Sequence, residues 1–316
     1  MMRAPARRRQ RGVALITAVL IVALGTMLAA SVFFRGYLDQ RRSATLFALD
    51  QAYEVALGAE AWAADFLRQD RQESNDDHPA EAWAQPLPPL PLDDGGTVEG
   101  RLEDMQGRFN LNNLKNPDGT TNEAAVEQLA RILQMLEIEP SWAAAIADWV
   151  DIDAEPGFPD GAEDSVYTSL TPPHRAANMT ITRASELMVL NGFGAERYAK
   201  LAPLVTALPV GTKLNVCTAL PIVLDALSES EREFSLSPDD TAKRRADTCY
   251  PTLDALRNKL GDEEWAKVQN SITNSSDWFR ASVWVTIGTT QFTLYSLLAR
   301  ADQGPVRTIL RSFGSE

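Results

Sequence analysis

RRRQRGVALITAVLIVALG, Arg7 to Gly25, passes from a knot of arginines through one glycine into an apolar run whose only polar residue is Thr17. Arg3, Arg7, Arg8, Arg9 and Arg11 precede every acidic residue of the chain. After Gly12 no charge occurs until Arg35, so Val13 to Phe34 forms an uncharged run of about 22 residues, roughly 33 Å as a helix and enough to cross a bilayer. The arginines place that end on the cytoplasmic side and the bulk of the chain across the membrane. Three readings fit: a span kept after a leader is cut, an uncut signal anchor, or a cleaved signal peptide. The last has a shorter apolar core and a small-residue cleavage site, which Ala29, Ala30 and Ser31 supply.

The residues beyond the run separate the three. Between Arg35 and Asp70 there is no proline, and the only glycines are Gly36 and Gly58. Leu38, Leu46, Leu49, Tyr53, Leu57, Ala61 and Ala64 recur at helical spacings. The expectation is one helix over 13–70, lipid-soluble over 13–34 and amphipathic beyond.

This arrangement resembles the type IV pilin and pseudopilin family. The resemblance implies a cleaved leader over 1–12, a prepilin peptidase cut between Gly12 and Val13, and methylation of the new amino terminus. Removing the leader would delete five arginines and no acidic residue, leaving a chain of net charge −13 more acidic still. Most members carry a glutamate five residues into the mature chain, where this sequence has Thr17. A carboxylate in hydrocarbon is costly unless partnered, whereas a threonine can bond its own helix's carbonyls. In such filaments the glutamate is thought to meet the amino terminus of a neighbour. A subunit without that neighbour gains nothing from it. The family's exception is the K-type minor pseudopilin of type II secretion systems, which caps the filament.

Length and composition agree. A chain of 316 residues is long enough for about two domains beyond the anchor. Its hydrophobic content of 45% suffices for a packed core. Its acidity argues against nucleic acid as a partner, since a phosphate backbone needs a basic face. The stretch 71–96, rich in proline and acid, reads as an extended surface connection. Thr97–Leu114 alternates like two short strands joined at Gly107, and residues 278–313 alternate like a three-stranded antiparallel meander with breaks at 288–290 and 302–304. Between them the period is helical: NEAAVEQLARILQMLEI, SWAAAIADWV, RASELMVL, AERYAKLAPLVTAL, ALPIVLDALS, YPTLDALRNKL and DEEWAKVQNSI. The expected fold is α+β: a pilin-like long helix on an antiparallel sheet formed by 71–114 and 277–316. A large all-α domain, 115–276, is inserted in the sheet. The K-type resemblance implies such an insertion, with a SAM-like or helix-hairpin-helix-like character.

Cys217 and Cys249 are the only cysteines. In an oxidising periplasm a disulfide between them is expected rather than two free thiols. It would close a loop of about 30 residues, worth ~3–4 kcal/mol in the chain-entropy account. DWVDIDAEPGFPDGAEDSVY, Asp148 to Tyr167, gathers seven carboxylates around helix-breaking prolines and glycines. Hard oxygen donors in this number suit calcium, and unneutralised they repel one another. The spacing is not that of an EF-hand, and a solvated acidic loop is the alternative. The stretch resembles the D-W-x-D-x-D…G-A-E-D…Y segment of K-type subunits, whose helical domain binds calcium. The resemblance implies Asp151, Asp153, Glu163 and Asp164 as ligands, with Asp148 and Glu155 behind them. Asp239, Asp240 and Asp247 form a weaker candidate.

The turn Gly192-Phe193-Gly194 between helices resembles a DNA-binding helix-hairpin-helix, but only Arg197 and Lys200 flank it. It reads better as a tight inter-helix turn. His78 and His174 have no nucleophile pattern nearby, and no nucleotide or zinc motif occurs, so no enzyme is expected. Trp142, Trp149, Trp265, Trp278 and Trp284 read as core. The resemblance implies an inner-membrane, single-pass protein with a periplasmic bulk. Its implied partners are the minor pseudopilins of the I and J types, the major pseudopilin filament and the prepilin peptidase. Two rival readings are a DNA-contacting competence or type IV pilus component, and a signal-anchored periplasmic protein outside any filament.

Overall fold

The computed structural model describes residues 12–93, 95–157, 161–229, 234, 243 and 248–314. One helix, α1 (Val13–Glu73), opens the described chain, three residues longer than expected because no proline occurs between Val13 and Ser74. Its apolar first half lies exposed. There the Thr17 hydroxyl donates to the Val13 carbonyl (3.1 Å) and shares with that of Ala14 (3.0 Å), so its polar atom is satisfied within the helix.

Farther along, α1 buries Ala52, Ala56 and Leu67 on a five-stranded antiparallel sheet. The sheet runs in the order β1 (Leu90–Leu92), β2 (Gly96–Asp104), β7 (Trp278–Ile287), β8 (Thr290–Ala299), β9 (Arg307–Phe313). Alternation along β7 and β8 turns Phe279, Ala281, Val283, Val285, Leu294 and Leu298 toward the helix. Glu60 is the polar bolt of this layer. It is 5% exposed, and its carboxylate accepts from Ser296 Oγ, Thr308 Oγ1 (2.8 Å) and Arg311 Nη2 (2.7 Å). Burial pushes its pKa up, but these donors prevail and hold it below the usual value.

The C-terminal meander forms as expected, with β7 and β8 joined through Gly288 at φ +59°. The expected hairpin of Thr97–Leu114 does not. After Asp104 the chain leaves the sheet, and β3 (Phe109–Asn110) pairs in parallel with β4 (Val205–Thr206). Gly107 cannot carry a side chain there, since a Cβ would lie 2.7–2.8 Å from Thr218. Phe109, Leu111 and Leu114 sit in the helical core, so the boundary expected at 114 falls nearer Asp104. The 71–96 connection is a surface segment only in part, exposed over 85–91. Asp77 (1% exposed) and Trp83 (6%) are buried, Trp83 edge-on to Phe279 at 5.2 Å, and β1 lengthens the sheet.

The inserted domain carries α2 (Glu123–Met135), α3 (Trp142–Val150), α4 (Asp164–Tyr167), α5 (Gly194–Leu201), α6 (Pro221–Asp225) and α7 (Leu253–Val268). The periodicity of α2 buries Leu129, Ile132 and Leu133, and Asn122 caps it on Ala125 N (3.3 Å). Gly261, at φ +74°, kinks α7 where two helices were expected. Ala184–Val189 winds as a 3-10 helix, and the segment expected to stay helical beyond Leu201 becomes β4. A second short parallel pair joins β5 (Leu214–Asn215) to β6 (Ile272–Thr273). Cys217 and Cys249 are disulfide-bonded. Asp239, Asp240 and Asp247 lie outside the described residues. Trp149, Trp142 and Trp265 join the helical core, but Trp284 is 38% exposed on the sheet face away from α1.

Candidate metal centre

The acidic stretch is shaped by Asp148. It sits in α3, 2% exposed, and its carboxylate accepts from Gly157 N (2.6 Å) and Ala162 N (2.7 Å). These two bonds fold the loop back on the helix end. Gly161 fits only without a side chain, since a Cβ would approach Gly157 N at 2.3 Å and the Asp148 carboxylate at 2.8 Å. Asp148 is thus a scaffold, with both oxygens committed to the loop.

Three oxygens of this region lack partners. Asp151 Oδ1, Glu163 Oε1 and Asn178 Oδ1 are buried and accept no hydrogen bond. Glu163 is 3% exposed, and its other oxygen accepts from Asn178 Nδ2 (3.0 Å). The same amide nitrogen also donates to the Asp153 carbonyl. Burial, then the Asp153, Asp148 and Glu163 charges, push Asp151 up to about 7. Burial and the Asp148 charge likewise raise Glu163, against the Asn178 hydrogen bond. Buried acceptors in native proteins are nearly always satisfied, and carboxylate and amide oxygens left without donors match the donor chemistry of a hard cation.

The other expected ligands are placed differently. Asp153 Oδ1 accepts from Glu155 N (2.9 Å), a local turn, and Glu155 is exposed. Asp164 Oδ1 accepts from Ala176 N (2.9 Å), with Arg175 3.8 Å from its other oxygen. Asn178 is not legible as a ligand in the sequence. Its signal is faint, an asparagine at φ +44° beyond a proline pair, and only the fold brings it to Glu163.

Among the described residues, the carboxylate group whose ligand atoms all lie within 4.8 Å of one another is Asp70, Asp77 and Glu81. It already holds a cation, the Arg300 guanidinium, which donates to Asp70 (2.9 Å) and Asp77 (2.6 Å), while Glu81 accepts from Trp83 Nε1 (2.8 Å). That cluster is structural.

At the glycine turn, Gly192 and Gly194 take φ +83° and +76° around a fully buried Phe193. Arg197 is engaged within the domain, by Glu139 (3.1 Å) and by the Gly192 and Phe193 carbonyls (3.2 Å). The turn is an inter-helix corner packed against Trp142.

A family model for type II secretion system protein K matches residues 107–210. The chain is 36% identical to the type II secretion system protein K of Pseudomonas aeruginosa, over 98% of this chain and 94% of that protein. It is 36% identical to that of Aeromonas hydrophila, over 98% and 99%. The fold resembles a solved structure of the GspK-GspI-GspJ complex from the enterotoxigenic Escherichia coli type 2 secretion system. The TM-score is 0.76 at 24% identity, covering 87% of this chain and 100% of that one.

Proposed function

The chain belongs to the family of type II secretion system protein K, and from that premise we propose that it works as the minor pseudopilin at the tip of the pseudopilus, by assembly rather than by chemistry. The observation that carries this reading is α1. It runs unbroken from an uncharged span of membrane length to a buried seat on the sheet, and it satisfies Thr17 on its own carbonyls. A subunit within the filament gains from a carboxylate that meets a neighbour's amino terminus; this helix has Thr17 at that place and needs no companion above it. The exposed Leu46 and Phe47 on the second half of α1 offer apolar surface to the helices of subunits below. Partners of the I and J types fit this surface. The helical domain caps the assembly.

Processing between Gly12 and Val13 follows from the same reading. Mass spectrometry of the membrane-extracted protein is expected to show an amino terminus at Val13, with the leader gone and the span kept. A terminus at Met1 or near Ser31 overturns both the processing and the filament role.

Calcium is proposed as a structural ion. The orphaned oxygens of Asp151, Glu163 and Asn178 would hold it, with Asp153 and Asp164 adding charge around them. Bound, it would neutralise the carboxylates that raise one another's pKa. At about a hundredfold excess over its dissociation constant, calcium is expected to stabilise the folded protein by ~2.7 kcal/mol. Asp151→Ala is expected to remove that increment. Identical melts in calcium and in chelator would leave a solvated acidic loop.

A further inference from the structure

The sheet face turned away from α1 carries Arg101 and Arg280, with Arg108 and Arg183 at its edge. Register places Arg280 opposite Glu103, and Ser282 opposite Arg101. The same alternation puts Trp284 on this face. Where the helical domain overhangs the face, a cleft of about 150 Å³ opens, lined by Arg108, Arg183, Arg280, Tyr198, Tyr295 and Leu310.

One carboxylate, Glu103, serves Arg101 (3.3 Å), Arg108 (3.6 Å) and Arg280. Arg108 makes no other ion pair among the described residues, although it is mostly buried. Burial, then the Arg280 charge, push its pKa down against the pull of Glu103. No carboxylate lies within 4 Å of the Arg183 guanidinium among the described residues; only the backbone amide of that residue meets Glu186. Desolvating a guanidinium without a counter-charge is costly. Arg108, with one shared carboxylate, and Arg183, with none among the described residues, therefore bring positive charge to a cleft with apolar and aromatic walls.

We propose that this cleft is a docking site for an acidic segment of a protein partner, whose aspartate or glutamate side chains complete the coordination of Arg108 and Arg183. A free inorganic anion would meet the charge but leave the walls bare. Leu310 in the cleft wall is 36% exposed, and Trp284, farther along the same sheet face, 38%. Arginine, tyrosine and tryptophan are the residue types that dominate binding at protein interfaces. Against the net charge of −13, a local positive cleft favours where an acidic partner lands. The site lies on the sheet face opposite the α1 contacts, so it is independent of the helix bundling proposed above.

The test uses the detergent-solubilised full chain and a fluorescent decapeptide alternating glutamate and valine, blocked at both ends. Fluorescence anisotropy is expected to show saturable binding that weakens about tenfold or more in Arg108→Gln and in Arg183→Gln, and also at high salt. Arg183 is away from the Glu103 cluster, so its variant reports even where Arg108→Gln impairs folding. Equal binding of a lysine-valine peptide, or unchanged affinity in both variants, overturns the proposal. So does full displacement of the peptide by inorganic phosphate, which would mark a small-anion pocket. Self-association of the protein that is lost in Arg183→Gln would assign the cleft to a second copy and overturn it equally.

Discussion

Arg300→Met is expected to destabilise the folded protein by ~3–5 kcal/mol, read as a fall in the urea midpoint with little change in slope. The side chain is buried, 2% exposed, and stacks over the Phe279 ring at 4.7 Å. Its Nη2 donates to both Asp77 oxygens (2.6 and 2.5 Å) and to the Ser276 carbonyl (2.6 Å), and its Nη1 to Asp70 (2.9 Å). These contacts join the end of α1, the connection after it and the near ends of β7 and β8. Methionine keeps the stem and removes the charge. Two carboxylates are then left together in a dry site. Already, burial and then the Glu81 and Asp77 charges hold Asp70 at about 6 with Arg300 present. Burial raises Asp77 too, in spite of Arg300. Without the guanidinium both rise further. An acid whose folded pKa exceeds its unfolded value contributes stability at low pH and loses it as pH climbs through the folded pKa. The deficit of Arg300→Met is therefore larger at pH 8 than at pH 5. A deficit that ignores pH would mean the carboxylates find other partners.

Asp104→Ala is expected to cost ~2–4 kcal/mol, and Asp104→Asn a smaller but definite ~1–3 kcal/mol. Asp104 ends β2 and ties the sheet to the helical domain. One carboxylate oxygen accepts from Ser276 Oγ (2.6 Å), Thr218 Oγ1 (2.5 Å) and Asn215 Nδ2 (3.0 Å); the other accepts from Gln106 N (2.8 Å). An asparagine cannot replace it, because its amide nitrogen must face either the Gln106 amide or the fixed Asn215 amide. Burial outweighs these donors and holds the carboxyl at about 6. By the same sign rule, wild-type stability drops as pH rises from about 4 through about 6, and Asp104→Asn flattens that part of the curve. Chemical denaturation at pH 4, 5, 6 and 7 checks both statements. A variant as pH-dependent as the wild type would assign the slope to other groups.

Much of this architecture is legible in the sequence because it is carried by local periods. The unbroken Val13–Glu73 helix, the alternation of β7 to β9 and the stripe of α2 each repeat within a few residues. The disulfide is legible for a different reason, since two cysteines admit only one pairing. The pairs β3–β4 and β5–β6 are hidden because two residues carry no period. Asp77 and Trp83 read as surface in the sequence, because composition reports polarity while their burial depends on Arg300 and Phe279 far along the chain. Of the candidate metal centre, Asp151 and Glu163 are readable as acids in a broken helix. The bracing by Asp148 and the approach of Asn178 to Glu163 depend on tertiary contacts.

The claim that most depends on the lone, self-satisfied stem is the position of the chain in the filament. Overproduced pseudopili, with a gold-reactive tag fused after Glu316, can be imaged by electron microscopy. Labels confined to one end of each filament are the expected result. Labels spaced along the shaft would contradict the account.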